Sequence, residues 1–100
     1  MKKFCLNNSE DLSFLKEVFN ILSEPVRIKI LCLLSWDKKL CVCEISELLD
    51  LKQNLVSHHL SMFKRIGLLK AQRDWVKIYY SLDEEQYNKI KSLIKIILHF

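Results

Sequence analysis

A chain of 100 residues, 50% of them hydrophobic, with a formal charge of +4 makes one small domain in which about two-thirds of the unfolded surface can be buried. One Gly and one Pro in the whole sequence exclude a loop-rich or low-complexity protein and favour helices. The basic balance suits an anionic partner without identifying one.

In chain order, Ser9-Glu10-Asp11 marks a helix start, with Leu12, Leu15, Val18/Phe19 and Leu22 following at helical spacing. Pro25, the only proline, suits the first turn of a second helix, PVRIKILCLLSW. That helix is apolar over much of its circumference and is expected to be the most buried. DKKL links it to LCVCEISELL and a third helix ending near Leu49. DLK turns the chain into a fourth helix from about Gln53 to Ile66, and Gly67 suits its left-handed C-terminal residue. The period then changes. Two β-prone runs, Leu69–Gln72 and Val76–Ser81, predict a hairpin that bends near Arg73-Asp74-Trp75. Asp83 caps a last helix with Tyr87, Ile90, Leu93/Ile94 and Ile97 on one stripe.

MKKFCLNNSEDL has lysines but no apolar run after them, so no signal peptide is expected. IKSLIKIILHF is too short and too charged to span a membrane. The expected location is cytoplasmic, where four cysteines are thiols, metal ligands or core residues rather than a disulfide framework. No paired-carboxylate cleft, activated nucleophile or Gly-rich phosphate loop is visible, so an enzyme is not expected.

Two helices joined by a short turn suggest a helix-turn-helix whose second helix lies in the major groove. In that fourth helix Val56, Leu60 and Phe63 form an inward stripe, with His59 beside them as a satisfied core histidine. Asn54, Ser57, His58, Ser61 and Arg65 share another face. Gln53 and Asn54 occupy its first turn, where amides can pair with adenine edges. Lys52, Lys64 and Arg65 can reach phosphates. An ordinary solvated face competes with this reading for the helix alone. The basic hairpin, with Arg73 and Lys77 flanking its bend, tips the balance toward a winged helix that binds nucleic acid.

Cys41 and Cys43 would point to nearly opposite sides of a regular helix. They can share one ion only where the backbone is extended or just turning helical, and they sit at such an entrance. A helix N-terminus stabilises thiolate, and Lys38 and Lys39 add to that field. Paired thiolates select soft ions: Cd, Pb, Bi, As(III), Zn or Cu(I). A third ligand is needed. Cys5 is the natural candidate, while Cys32, in a strongly apolar helix, is expected to be buried as a small hydrophobe. His58 and His99 are possible nitrogen donors. Composition alone leaves open that Cys41 and Cys43 are simply core residues.

The stretches SEPVRIKILCLLS, LCVCEI, VSHHL, IGLL and YYSL together resemble the ArsR/SmtB repressors over nearly the whole chain. The resemblance implies a homodimeric winged helix that represses its own resistance operon and releases DNA on binding inducer. Members with LCVC at this helix bind arsenite, antimonite, cadmium or lead there, so Cys41 and Cys43 carry over as ligands. One arsenite-sensing type places a further cysteine where Ser46 stands here. The cadmium/lead type recruits N-terminal cysteines, often from the other subunit, a role Cys5 would fill with three sulfurs in all. The second site of zinc-sensing members is not expected, because the matching stretch offers Glu84, Gln86 and Ile97. Cys32 matches the second-helix cysteine of persulfide sensors, whose partner on the last helix is missing. The usual glycine of the wing turn is also missing, with Trp75 near its place.

The expectation is therefore a mainly α, winged helix-turn-helix domain over residues 1–100, ordered α-α-α-α-β-β-α and homodimeric through its first and last helices. It would bind double-stranded operator DNA, with no membrane partner. Its inducer would be a soft ion, As(III), Cd or Pb ahead of Zn, held by Cys41, Cys43 and Cys5. A thiol- or persulfide-sensing repressor, or a winged-helix interaction module with inert cysteines, are the alternatives.

Overall fold

The computed structural model describes residues 6–99; Cys5 lies outside them. Its elements are α1 (Ser9–Leu22), α2 (Pro25–Trp36), β1 (Leu40–Cys41), α3 (Val42–Leu49), α4 (Gln53–Arg65), β2 (Leu69–Asp74), β3 (Lys77–Leu82) and α5 (Glu84–Leu98). The fold is a mainly helical winged helix-turn-helix. The cap of α1 is Asn8, one residue ahead of the expected start. Its Oδ1 accepts the Glu10 and Asp11 N–H groups at 2.8 and 3.4 Å, and those two acids favour the positive end of the helix. Asp83 caps α5 as expected, accepting from the Gln86 N–H at 3.0 Å.

The core gathers one stripe from each helix. Ile30, Ile45, Val56, Leu60, Phe63 and Leu68 are all but sealed from solvent, with Leu15, Val18, Ile21 and Ile90 around them. A phenylalanine so enclosed is worth about 3–5 kcal/mol against alanine. The α4 stripe is thus the one its spacing predicts. The α2 expectation fails: only Ile30 and Leu34 are buried there, while Ile28 and Trp36 are exposed. A helix that is apolar all round can press only one side against a core this small. Cys32 falls on the outer side and is exposed, not buried.

A tight turn joins α3 to α4. Asp50 adopts the left-handed conformation that Asp tolerates better than most residues (φ 54°, ψ 52°). The Leu51 N–H then reaches back to the Ser46 carbonyl at 3.0 Å, and the Ser46 hydroxyl donates to the Leu51 carbonyl. Gly67 ends α4 at φ +72°, where a side chain would be strained, and a Cβ there would lie 3.4 Å from Gln86 Nε2. That amide donates to the Ile66 carbonyl at 2.6 Å, and the Asp83 N–H donates to the Leu68 carbonyl at 2.8 Å. The end of α4 is therefore tied to the start of α5.

Where a two-stranded hairpin was expected, the sheet has three antiparallel strands in the order β1-β3-β2. Leu40 pairs with Tyr80 and Cys41 with Tyr79. Two residues are too few to show a period, so β1 left no trace in the sequence. The hairpin turn also lies further along than expected: Asp74 pairs with Lys77, leaving Trp75 and Val76 as the loop. Trp75 takes φ 60° at a loop position that usually goes to glycine. For a residue with a Cβ, the left-handed region costs roughly 1–2 kcal/mol.

Candidate nucleic-acid interface and thiol pair

The inward stripe of α4 leaves its polar face outward. Gln53, Asn54, Ser57, His58, Ser61, Lys64 and Arg65 are all exposed, as is Lys52 at the cap. At about 1.5 Å per residue the helix spans roughly 20 Å, enough to lie in a major groove with its first turn toward the bases. The Ser61 hydroxyl donates to the His58 carbonyl at 2.6 Å, so it offers a ligand only its lone pairs. Arg73 and Lys77 are exposed near the tip of the wing. Lys77 also stands across from Asp74 and in the field of Glu44, which weakens its claim on a phosphate relative to Arg73.

His59 is half-buried between α4 and α2, where its Nδ1 accepts from Arg27 Nε at 3.1 Å. Burial holds its imidazole below the ordinary value, and the Arg27 and His58 charges push the same way against a weaker pull from Glu24. The neutral ring is the acceptor that Arg27 needs. Because the unfolded chain takes up this proton first, the contribution to stability is intact above about pH 6.5. It is lost as pH falls through the depressed folded value. The urea midpoint should drop between pH 7 and 5 by more in the parent than in His59→Gln, which keeps an acceptor but does not titrate. Equal drops would detach His59 from the acid response.

The two thiols lie where β1 becomes α3. Cys41 is the N-cap with extended backbone (φ −89°, ψ 165°), and Cys43 is already in the helix. This is the geometry that lets both sulfurs lie on one side, and the Cys43 thiol is near enough to influence the titration of Cys41. Cys41 is buried and Cys43 half-buried. The expected thiolate stabilisation does not hold for Cys41. Burial pushes its thiol up and the Cys43 thiol adds to the rise, while the Glu44 backbone N–H offsets part of it. Desolvation of a sealed side chain outweighs the helix end. Lys39 does not answer it, because its ammonium lies over the Tyr79 ring at 5.3 Å.

Glu44 was not singled out by its sequence. Its carboxylate accepts the Cys41 N–H at 2.9 Å while the Cys41 side chain receives the third backbone N–H of α3, a capping box with sulfur in the usual hydroxyl position. The hydrogen bond from the Cys41 N–H, joined by the Cys41 thiol and by Lys77 nearby, holds the Glu44 carboxyl below its usual range. The capping spacing, Cys41 followed three residues later by Glu44, was the available signal.

Cys41 and Cys43 therefore fit two positions of a soft-ion site. Among the described residues no group of three His, Cys, Asp or Glu side chains is placed to hold a metal. Cys32 lies on the outer side of α2, and Gln86 is spent on the Ile66 carbonyl.

A family model described as "Bacterial regulatory protein, arsR family" matches residues 24–71, which run from the start of α2 into β2. The chain is 37% identical over 84 residues to a cadmium resistance transcriptional regulatory protein CadC homolog of Staphylococcus aureus, covering 83% of this chain and 67% of that protein. An arsenic resistance transcriptional regulator of Pseudomonas putida is 31% identical over 78 residues, 78% of this chain and 61% of the relative. Among solved structures, HlyU from Vibrio cholerae superposes with a TM-score of 0.73 at 26% identity, over 89% of this chain and 97% of that one.

Proposed function

The chain belongs to the arsR family of bacterial regulatory proteins, DNA-binding transcriptional regulators rather than enzymes, and we propose that it is a repressor released from its operator by a soft metal or metalloid ion. The observation that carries this reading is the thiol pair at the β1–α3 junction, one face of which leads to the reading helix and the other to the wing. Two relatives whose names specify cadmium and arsenic resistance support Cd or As(III) as the ion, and Pb is a further soft ion that paired thiolates would take. Cys5 is proposed as the third sulfur.

Bound to duplex DNA in the cytoplasm, α4 lies in the major groove with Gln53 and Asn54 against base edges and Ser57, His58 and Ser61 along the groove. Lys52, Lys64, Arg65, Arg73 and Lys77 neutralise phosphates. Exposed Leu12 and Phe19 on α1 and Ile96, Ile97 and Leu98 on α5 supply the apolar face for a homodimer. Its half-sites lie about 34 Å apart.

Release has two routes out of the thiol pair. Cys41 and Cys43 would hold the ion, and Cys41, its thiol proton given up to solvent, would leave the capping box with Glu44. This disturbs α3, which packs on α4 through the Asp50 turn. It also disturbs β1, whose Cys41 pairs with Tyr79 of β3, and Tyr79 pairs in turn with Gln72 of β2. The wing and the reading helix are thus re-aimed together. A coupling of about 1–3 kcal/mol loosens DNA 5- to 150-fold.

The test is one titration that follows labelled-duplex anisotropy and near-ultraviolet thiolate absorbance together, with As(III), Cd, Pb and Zn added in turn. Release in step with the sulfur-to-metal band is expected, and the apo affinity should fall steeply with salt, as several phosphate contacts require. DNA binding with no band from any ion would leave a winged helix with inert cysteines.

A further inference from the structure

The wing ends in a feature that neither the reading helix nor the thiol pair uses. Trp75 and Val76 are each 89% exposed, so the least covered large apolar side chains among the described residues lie side by side in a two-residue turn. Trp75 holds a left-handed backbone there, where glycine would be relaxed. The tip is thus apolar at a cost to the fold.

We propose that Trp75, with Val76 beside it, is an apolar wedge that enters the minor groove of the bound duplex and partly unstacks a base step. The proposal rests on the DNA-binding reading above and adds to it a residue that reads DNA deformability. Several observations favour DNA as the occupant. Arg73 and Lys70 lie on the same hairpin and are exposed, while Asp74, the acid next to the tip, is set against Lys77 across the last rung. The minor groove, about 6 Å wide, admits a turn but not a helix. Six-residue strands carry the tip roughly 20 Å from their base, so it can reach a groove flanking the one that α4 occupies. Two side chains are far too little surface for a stable protein interface, which needs about 1,000 Å² or more. Apolar wedges of this kind kink duplexes, and they do so most readily at flexible TA and CA/TG steps.

The experiment uses the full chain carrying Trp36→Phe, which leaves Trp75 as its single tryptophan. Binding is followed by anisotropy of a labelled alternating dA-dT duplex, and insertion by Trp75 emission. Quenching on that duplex is expected, with less on poly(dA)·poly(dT), which is stiff and lacks pyrimidine–purine steps, and none after the minor groove is filled with netropsin. Trp75→Gly should weaken binding about 10-fold, in line with loss of one base–aromatic stack, with a thermal midpoint no lower than the parent's. Trp75→Phe should restore most of the affinity. Binding without a change in Trp75 emission, or an unweakened Trp75→Gly, overturns the wedge and leaves the DNA reading standing. Failure to bind any duplex overturns both. An emission shift on phosphatidylglycerol vesicles but not on DNA overturns the wedge in favour of a membrane contact.

Discussion

Cys41→Ser and Cys43→Ser should each bind operator DNA within about 3-fold of the parent and fail to let go when Cd or As(III) is added. The parent, by contrast, should loosen 5- to 150-fold, the usual span of allosteric coupling. The first half of that expectation comes from the capping geometry. Cys41 accepts the third backbone N–H of α3 while Glu44 accepts the Cys41 N–H, and serine is a preferred residue for that position. The substitution therefore leaves a preferred cap in place of a weak one. Its cost is a buried hydroxyl that already has a donor waiting, so α3 and the sheet should stay where they are. The second half follows from ligand count. With one sulfur of the pair left, an ion loses the two-thiol grip that holds it, and a hydroxyl is a poor ligand for a soft ion. The readout is operator anisotropy against added ion, with near-ultraviolet absorbance as the record of sulfur ligation. Release persisting in both variants would move the sensing site elsewhere. Cys5→Ser distinguishes a three-sulfur site from a two-sulfur one, because only in the former does it abolish the band.

The parts of this molecule that the sequence made legible are those governed by local rules. Val56, Leu60 and Phe63 recur at the helical period, so the buried side of α4 and hence its polar face could be read off directly. Pro25, Gly67 and Asp83 punctuate helices because each solves a problem at a helix end that other residues solve less well. What stayed hidden depends on neighbours distant in sequence. The strand of Leu40 and Cys41 exists only because Tyr80 and Tyr79 lie alongside. Cys32 lies in an apolar run, but which side of α2 meets the core is decided by α1, α4 and the sheet. The Cys41 thiol illustrates the same limit for chemistry. A helix N-terminus and two lysines argue for thiolate, and burial, a tertiary quantity, reverses the sign. The wing turn was read about one residue too early for another reason. Turn prediction relies on residues that relax at positive φ, and here the position holds a tryptophan.

Phe19→Glu combined with Ile97→Glu should give a folded monomer whose affinity for a two-half-site operator is lower by a factor of about 10²–10⁴. Both side chains are roughly half exposed, at 48% and 43%, so a carboxylate at either position can stay in water and the isolated fold loses little. Leu15 and Ile90, on the same helices, are buried at 3% and 6% exposure and would be the wrong choice, since their replacement would unfold the domain rather than separate two copies. In a dimer the same carboxylates would meet their symmetry mates across an apolar seam, unpaired and desolvated, and that arrangement is far more costly than exposure. The effect on DNA exceeds that of any single contact because the second reading helix binds at the effective concentration set by the first. Removing that linkage forfeits avidity of the stated size without touching a base or phosphate contact. Two measurements decide it. Sedimentation at micromolar protein should show the double variant as a monomer and the parent as a dimer. An operator cut to one half-site should bind the parent no more tightly than the full site binds the variant. A variant that stays dimeric, or a monomer that holds the full operator as firmly as the parent, would place the partner subunit on another face, with the outer side of α2 around Ile28 and Trp36 the next surface to break.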